Sequence, residues 1–495
     1  MRRMRQAPEL ANRGWTRRWA LCFAALLGGC TTTFDNEPLN RPVTPEFVVQ
    51  AAAPRDIVGR DVIALSLSGG GTRAAAFGFG VLQALAGDDG RAVDVFDDLS
   101  FISSVSGGSL TAAYVALHGR DGLAQLREQV LLQDLERDMR VDLLLPGNLL
   151  RLLAGGLNDR SNLARRLDEE VFRGATFADL YRRNKPDVWI NATDLYNRTP
   201  FPFTPQAFLS LCSDLSSLPV SEAVAASMAV PLVFAPVVLR TFPDRCLTPL
   251  SARLDGLLDD PRRVATDPVA SVAAAMRSYR DPQRMRYLKL ADGGLTDNQG
   301  LSSILVARAI AGTPYGPLTA VDAVRVRRML FLVVDAGRSP TGDWALRVDG
   351  PGGFDVGVAA ADAAIDSATR LSTDAFRRMA LAWRDSIVEF RCGLDEAQVR
   401  RHLPANERWD CGDLNIVVDT ISADALDPQR ALRLRGMPTR LVLPAADVDA
   451  AIAAGRDAAL GSPALRDYVA ARQAARRPSG EQPPHHALEG ELRQP

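Results

Sequence analysis

The sequence predicts an α/β fold with a largely parallel central sheet flanked by helices, on three observations. From Asp61 onward, short apolar runs that read as buried strands alternate with amphipathic stretches that read as helices. Two of these runs end in glycine-containing loops that open helices, the joint a parallel sheet uses at the carboxyl ends of its strands. The composition, 47% hydrophobic and 24% charged over 495 residues, suits one large core or two modest ones.

The N-terminus precedes that fold. A basic stretch (Arg2, Arg3, Arg5, Arg13, Arg17, Arg18) leads into a short apolar run from Trp19 to Leu27, the pattern of an export signal. The run is too short to span a bilayer. It ends in Leu27, Gly28, Gly29 and Cys30, which resembles the lipobox of bacterial lipoproteins. Residues 1–29 are therefore expected to be a signal peptide and Cys30 the lipidated residue that anchors the chain to a membrane surface. Thr31 is not the aspartate associated with inner-membrane retention, so the expected location is the cell envelope, at the outer membrane. Cleavage before Cys30 removes six arginines and Glu9, taking the net charge from −1 to about −6, which argues against nucleic-acid binding. Cys212 with Cys246 and Cys392 with Cys411 form two sequence-near pairs. In an oxidising compartment they predict two disulfides. Neither pair has the spacing of a zinc site.

Residues 30–58, with several prolines and no periodicity, are expected to be a flexible tether. The predicted strands are Val62 to Leu67, Leu99 to Ser104, Val188 to Ala192, Tyr287 to Ala291 and Met329 to Val334. The leucine-rich stretch from Leu143 to Leu157 reads as a cap that packs into the core, with contact to a lipid surface as the second reading. The seventeen uncharged residues from Ala223 to Leu239 contain Pro231 and Pro236, and they read as the interior of the domain rather than a membrane span. Farther on, Ile387 to Phe390 and Leu414 to Val418 look strand-like and 445 to 474 looks helical. Residues 476–495 read as a disordered tail.

Three stretches carry chemistry. Ser68, Gly69, Gly70, Gly71, Thr72 and Arg73 follow a predicted strand and open a helix, so their backbone N–H groups form an anion site at a helix N-terminus. The lysine of a P-loop and the spacing of a dinucleotide site are both absent. Ser104, Val105, Ser106, Gly107 and Gly108 again join strand to helix and resemble the nucleophile elbow GxSxG, with Ser104 in place of the first glycine. The elbow needs small residues two positions either side of the serine, and both are small. The helix-start position favours Ser106 over Ser104 as the exposed hydroxyl. Histidine is scarce as a base. His118 lies twelve residues along the same helix, roughly 18 Å from Ser106, His402 has the neighbours of a solvated loop, and His485 and His486 fall in the tail. The third stretch, Asp292, Gly293, Gly294, Leu295, Thr296, Asp297 and Asn298, places a carboxylate at a strand end. An aspartate there can take the serine proton directly, although Asp-Gly is more commonly only a turn.

Taken together, the three stretches resemble the patatin-like phospholipase family. The resemblance covers roughly residues 59–340 and extends to Asn191, Ala192, Thr193, Asp194 and to Ala226 through Pro231. It implies a three-layer patatin-like fold, a catalytic domain over 59–345 and a C-terminal α/β extension over 346–475. It further implies a Ser106–Asp292 dyad without histidine and an oxyanion site built from Gly69, Gly70, Gly71, Thr72, Arg73 and Gly107. The implied activity is lipid acyl hydrolysis of phospholipase A or lysophospholipase type, on a phospholipid or other acyl-ester lipid, with no cofactor and no metal. Two other readings stay open: a non-catalytic lipid-binding lipoprotein, and an esterase or thioesterase acting on other acyl substrates.

Overall fold

The computed structural model describes residues 35–53, 59–87, 94–140, 142, 145–183, 186–338, 344–346, 348–350, 352–404 and 407–476. The signal segment, Cys30 and residues 477–495 lie outside them. The central sheet has eight strands: β1 (Asp61–Leu67), β2 (Leu99–Val105), β3 (Asp187–Asp194), β4 (Thr199–Pro202), β5 (Val237–Arg240), β6 (Tyr287–Asp292), β7 (Arg328–Asp335) and β8 (Asn415–Ser422). They lie in the order β8-β7-β1-β2-β3-β6-β5, with β4 paired to β3. The five strands from β8 to β3 run parallel, and β4, β5 and β6 pair antiparallel.

Strand alternation splits the core between the two faces. Ile63, Leu65 and Leu67 of β1 face the larger cluster, under helices α1 (Gly71–Ala86), α2 (Gly107–His118), α3 (Val220–Ser227) and α5 (Ala445–Gly461). Val62 and Ala64 face the smaller one, where the long helix α4 (Gly353–Cys392) lays Phe376, Ala380, Trp383 and Ile387 on Met329, Phe331 and Val333 of β7. Because helices cover both faces, β7 is apolar at nearly every position.

Several expectations are corrected. Ile387 to Phe390 is helical: Phe376, Ala380, Trp383 and Ile387 repeat at three and four residues, a period that a four-residue window does not reveal. The predicted tether is docked over 35–53. Thr44 caps a helix with Pro45 in its first turn, Phe47 is buried, and Arg41–Pro42 pairs with Ser213–Asp214. The leucines do not all pack inward either. In the helix Pro146–Ala154 and its flank, Leu145, Leu149, Leu150 and Leu153 are half-exposed or more, Leu153 at 78%. The uncharged run 223–239 is interior only in part: it passes from the buried helix α3 through a loop over 228–236, where Val230, Leu232 and Val233 are exposed, into strand β5. Cys212 is bonded to Cys246 and Cys392 to Cys411, with Cα–Cα separations of 4.7 and 5.0 Å. Among the described residues, no helix is long and apolar enough to cross a membrane.

Candidate active site

Register brings the two expected catalytic residues together. Val105, the last residue of β2, sits opposite Asn191 of β3, and the next residue of β3, Ala192, sits opposite Asp292 of β6. Because β6 runs antiparallel, its carboxyl end would belong at the far edge of the sheet if the strands overlapped fully. Only Leu290, Ala291 and Asp292 overlap β3, so the strand enters from above and stops beside the elbow. Ser106 Oγ donates to Asp292 Oδ2 at 2.8 Å.

Ser106 has φ 49° and ψ −123°, a strained conformation for a residue with a side chain. Its surroundings hold it there. The Ser106 N–H donates to Ser227 Oγ at 2.8 Å, and Ser227 Oγ spends its own proton on the Asn191 carbonyl at 2.6 Å. Ser109, 3.0 Å from the same oxygen, is therefore the donor in that pair. Asn191 ties β3 to β2 and to the helix Ser302–Ile310: its amide donates to Ser103 Oγ and the Ser104 carbonyl, and its side-chain oxygen accepts from Ser303 at 2.6 Å. The hydroxyl of Ser104 is buried and donates to the Trp189 carbonyl at 3.2 Å. Of the two elbow serines, only Ser106 faces a carboxylate.

Asp292 is fixed at both ends. Its N–H donates to the Ala229 carbonyl, its carbonyl accepts from Thr193 Oγ1 at 2.9 Å, and Oδ1 accepts from the Gly294 N–H at 2.8 Å. The carboxyl is part-buried and, among the described residues, pairs with neither arginine nor lysine. Burial pushes its pKa up to about 6, and the bonds from Gly294 and Ser106 pull only partly the other way. Asp297, in the same loop, is committed to the N–H groups of Gln299 and Ser302. His118 packs tilted against Tyr114 on α2, and the carbonyl of His402 accepts from Arg325; neither imidazole bonds to Ser106.

The glycine loop abuts the elbow. A Cβ on Gly107 would fall 2.0 Å from the Gly71 carbonyl oxygen, so the N-termini of α1 and α2 touch backbone to backbone. Neither helix has a side-chain cap. Among the described residues no acceptor takes the N–H of Gly70, Gly71 or Gly107, which leaves three donors at two positive helix ends beside Ser106. The other loop residues expected there point elsewhere. Gly69 N–H donates to the Asn298 carbonyl at 3.0 Å and Thr72 N–H to the Arg440 carbonyl at 2.8 Å. Arg73, only 2% exposed, bonds to Ala336 and Met437. Sequence reading singled out the stretches around Asn191 and Ser227 only by their family likeness. Their role in holding the elbow depends on contacts between residues more than thirty positions apart.

The architecture is a patatin-like α/β fold, a mostly parallel sheet with flanking helices. Residues 65–304 match the family model of the patatin-like phospholipase, a span that includes Ser106 and Asp292. Among solved structures, human GIVD cytosolic phospholipase A2 is similar over 89% of this chain and 69% of its own, with a TM-score of 0.41 and 12% identity. VipD from Legionella pneumophila is similar over 90% of this chain and 73% of its own, with a TM-score of 0.33 and 14% identity. No curated protein matches the sequence.

Proposed function

We propose that the protein is a lipid acyl hydrolase of phospholipase A or lysophospholipase type, working through a Ser106–Asp292 dyad and an acyl-enzyme. The observation that carries this reading is the 2.8 Å bond from Ser106 Oγ to Asp292, made at a strained elbow beside three unclaimed N–H groups. The match to the patatin-like phospholipase model supports a lipid substrate. Asp292 takes the proton as Ser106 Oγ attacks the ester carbonyl, and the N–H groups of Gly70, Gly71 and Gly107 receive the charge that develops on the carbonyl oxygen. The protonated Asp292 then gives its proton to the departing alkoxide. Water, deprotonated by the same carboxylate, releases the fatty acid.

The test is fatty-acid release from mixed phospholipid micelles, with chelator present, by protein lacking residues 1–30, beside labelling of Ser106 by a fluorophosphonate. Release with labelling supports the assignment; neither release nor labelling returns the protein to the lipid-binding class. The lipobox supports attachment to the cell envelope through Cys30, which incorporation of labelled palmitate into the wild type but not into Cys30→Ser would test.

A second feature fits a lipid substrate. Leu145, Leu149, Leu150 and Leu153 are exposed next to Val230, Leu232 and Val233, because the N–H groups of Leu157 and Asn158 bond to the carbonyls of Leu232 and Val233. That loop continues from Ala229, whose carbonyl holds the N–H of Asp292. Exposed aliphatic side chains beside the site gain free energy by entering acyl chains. Leu149→Ser with Leu153→Ser is expected to slow vesicle hydrolysis on the order of tenfold and leave hydrolysis of a water-soluble ester unchanged. Equal loss on both substrates would refute a surface-binding role.

A further inference from the structure

We infer that the C-terminal segment Met437–Leu441 positions the oxyanion loop, with Thr72, Arg73 and Glu136 as the residues that fasten the two together. The inference rests on the Ser106–Asp292 reading, and it places part of the catalytic machinery well beyond residues 65–304.

The contacts form a stack one residue thick at each layer. Gly71 has φ 62°, and a Cβ on it would fall 2.3 Å from the Arg440 carbonyl oxygen; on its other side, its own carbonyl touches Gly107. The glycine loop is thus held between the C-terminal segment and the helix that carries Ser106. Thr72 ties the outer layer twice, with its N–H to the Arg440 carbonyl at 2.8 Å and its hydroxyl to the Leu441 carbonyl at 2.7 Å. This spends the Thr72 N–H outward and leaves those of Gly70 and Gly71 for an anion.

Arg73 makes the next tie. Its guanidinium donates to the carbonyl of Ala336 at 2.9 Å, to the carbonyl of Met437 and to Thr439 Oγ1. Burial, and then Arg338, lower its pKa to about 10, so it stays charged at neutral pH. Buried at 2% exposure and bonded to two backbone carbonyls and a threonine hydroxyl, it acts here as a fastener between the loop and the C-terminal segment. From the other side, Glu136 pairs with the Arg440 guanidinium and accepts the Leu441 N–H at 2.9 Å. Farther along the same extension, α5 covers α1 in the core, and Tyr468 and Arg472 close on the buried carboxylate of Asp98. The segment is therefore anchored at several points on a frame that does not depend on substrate.

An oxyanion donor acts only from the right place, and a displacement near 1 Å costs on the order of a hundredfold in rate. The experiment uses Thr72→Val, which removes the hydroxyl at nearly constant shape, Thr72→Ser, which restores it, and the more exposed Glu136→Ala, each beside Ser106→Ala. The readouts are kcat and KM on a p-nitrophenyl ester, the rate of fluorophosphonate labelling and the melting temperature. Thr72→Val is expected to lose at least tenfold in kcat and in labelling rate with KM within twofold. Thr72→Ser is expected within threefold of wild type, and Glu136→Ala is expected to lose several-fold with its melting temperature little changed. Wild-type kcat in folded Thr72→Val and Glu136→Ala, or equal loss in Thr72→Ser and Thr72→Val, would overturn the inference while leaving the dyad standing if Ser106→Ala is inactive. A wild type that neither hydrolyses nor labels would overturn both.

Discussion

Ser106→Ala is expected to lower kcat by at least about 10⁴-fold, and Asp292→Asn by about 10³-fold or more. The serine supplies the bond-forming oxygen, so its loss leaves only substrate binding and the unclaimed N–H groups of Gly70, Gly71 and Gly107. At 1.36 kcal/mol per factor of ten, the first loss is about 5 kcal/mol of transition-state stabilisation. Asp292 is harder to replace than an aspartate that orients a histidine, because it accepts the proton itself at 2.8 Å and no imidazole stands between. An asparagine retains the shape and an oxygen for the Gly294 N–H, but it has no basic site for the serine proton. Single-turnover hydrolysis and fluorophosphonate labelling separate the two roles: Ser106→Ala gives no label, and Asp292→Asn labels slowly. More than about 1% residual activity in Ser106→Ala would move the nucleophile elsewhere. Labelling of Asp292→Asn at the wild-type rate would require another base.

Much of this site was legible from sequence because its parts are short and local. A strand end, a small-residue elbow and an Asp-Gly-Gly turn each announce themselves within seven residues, and steric demands restrict the residue types. The five predicted strands were visible because their apolar runs are local, most plainly in β7, where both faces are covered and Met329 through Val334 is apolar throughout. What failed had a nonlocal cause. β4 and β5 are four residues each and owe their pairing to β3 and β6 rather than to pattern. The leucines of the helix Pro146–Ala154 look like core in sequence, and only the fold shows that nothing described covers Leu149, Leu150 and Leu153. How the glycine loop divides its roles was not legible for a related reason. A glycine-loop motif identifies an anion site, but which N–H groups remain free depends on where Asn298 and Arg440, hundreds of residues away, present their carbonyls.

The same burial that makes Asp292 a usable base sets a pH dependence with a definite sign. With a folded pKa near 6, kcat/KM is expected to fall about tenfold per pH unit below 6 and to level off above it. For stability the direction is opposite. The folded pKa lies above the value of about 3.9 for an unfolded aspartate, so the folded state binds the proton more tightly. That contribution is fully present below about pH 4 and is lost as pH rises through 6. Above pH 6 the ionised carboxylate costs the fold up to about 3 kcal/mol, two units at 1.36 kcal/mol each, an upper bound because part of the carboxyl meets solvent. Asparagine carries no such charge. Asp292→Asn, inactive as a hydrolase, is therefore expected to melt about 2 °C or more above the wild type at pH 8, with the difference vanishing toward pH 4. Melting curves for the two proteins across that range test it. If Asp292→Asn is no more stable at pH 8, the carboxylate is better solvated than its packing implies, and an activity midpoint near pH 4 rather than 6 should accompany that result.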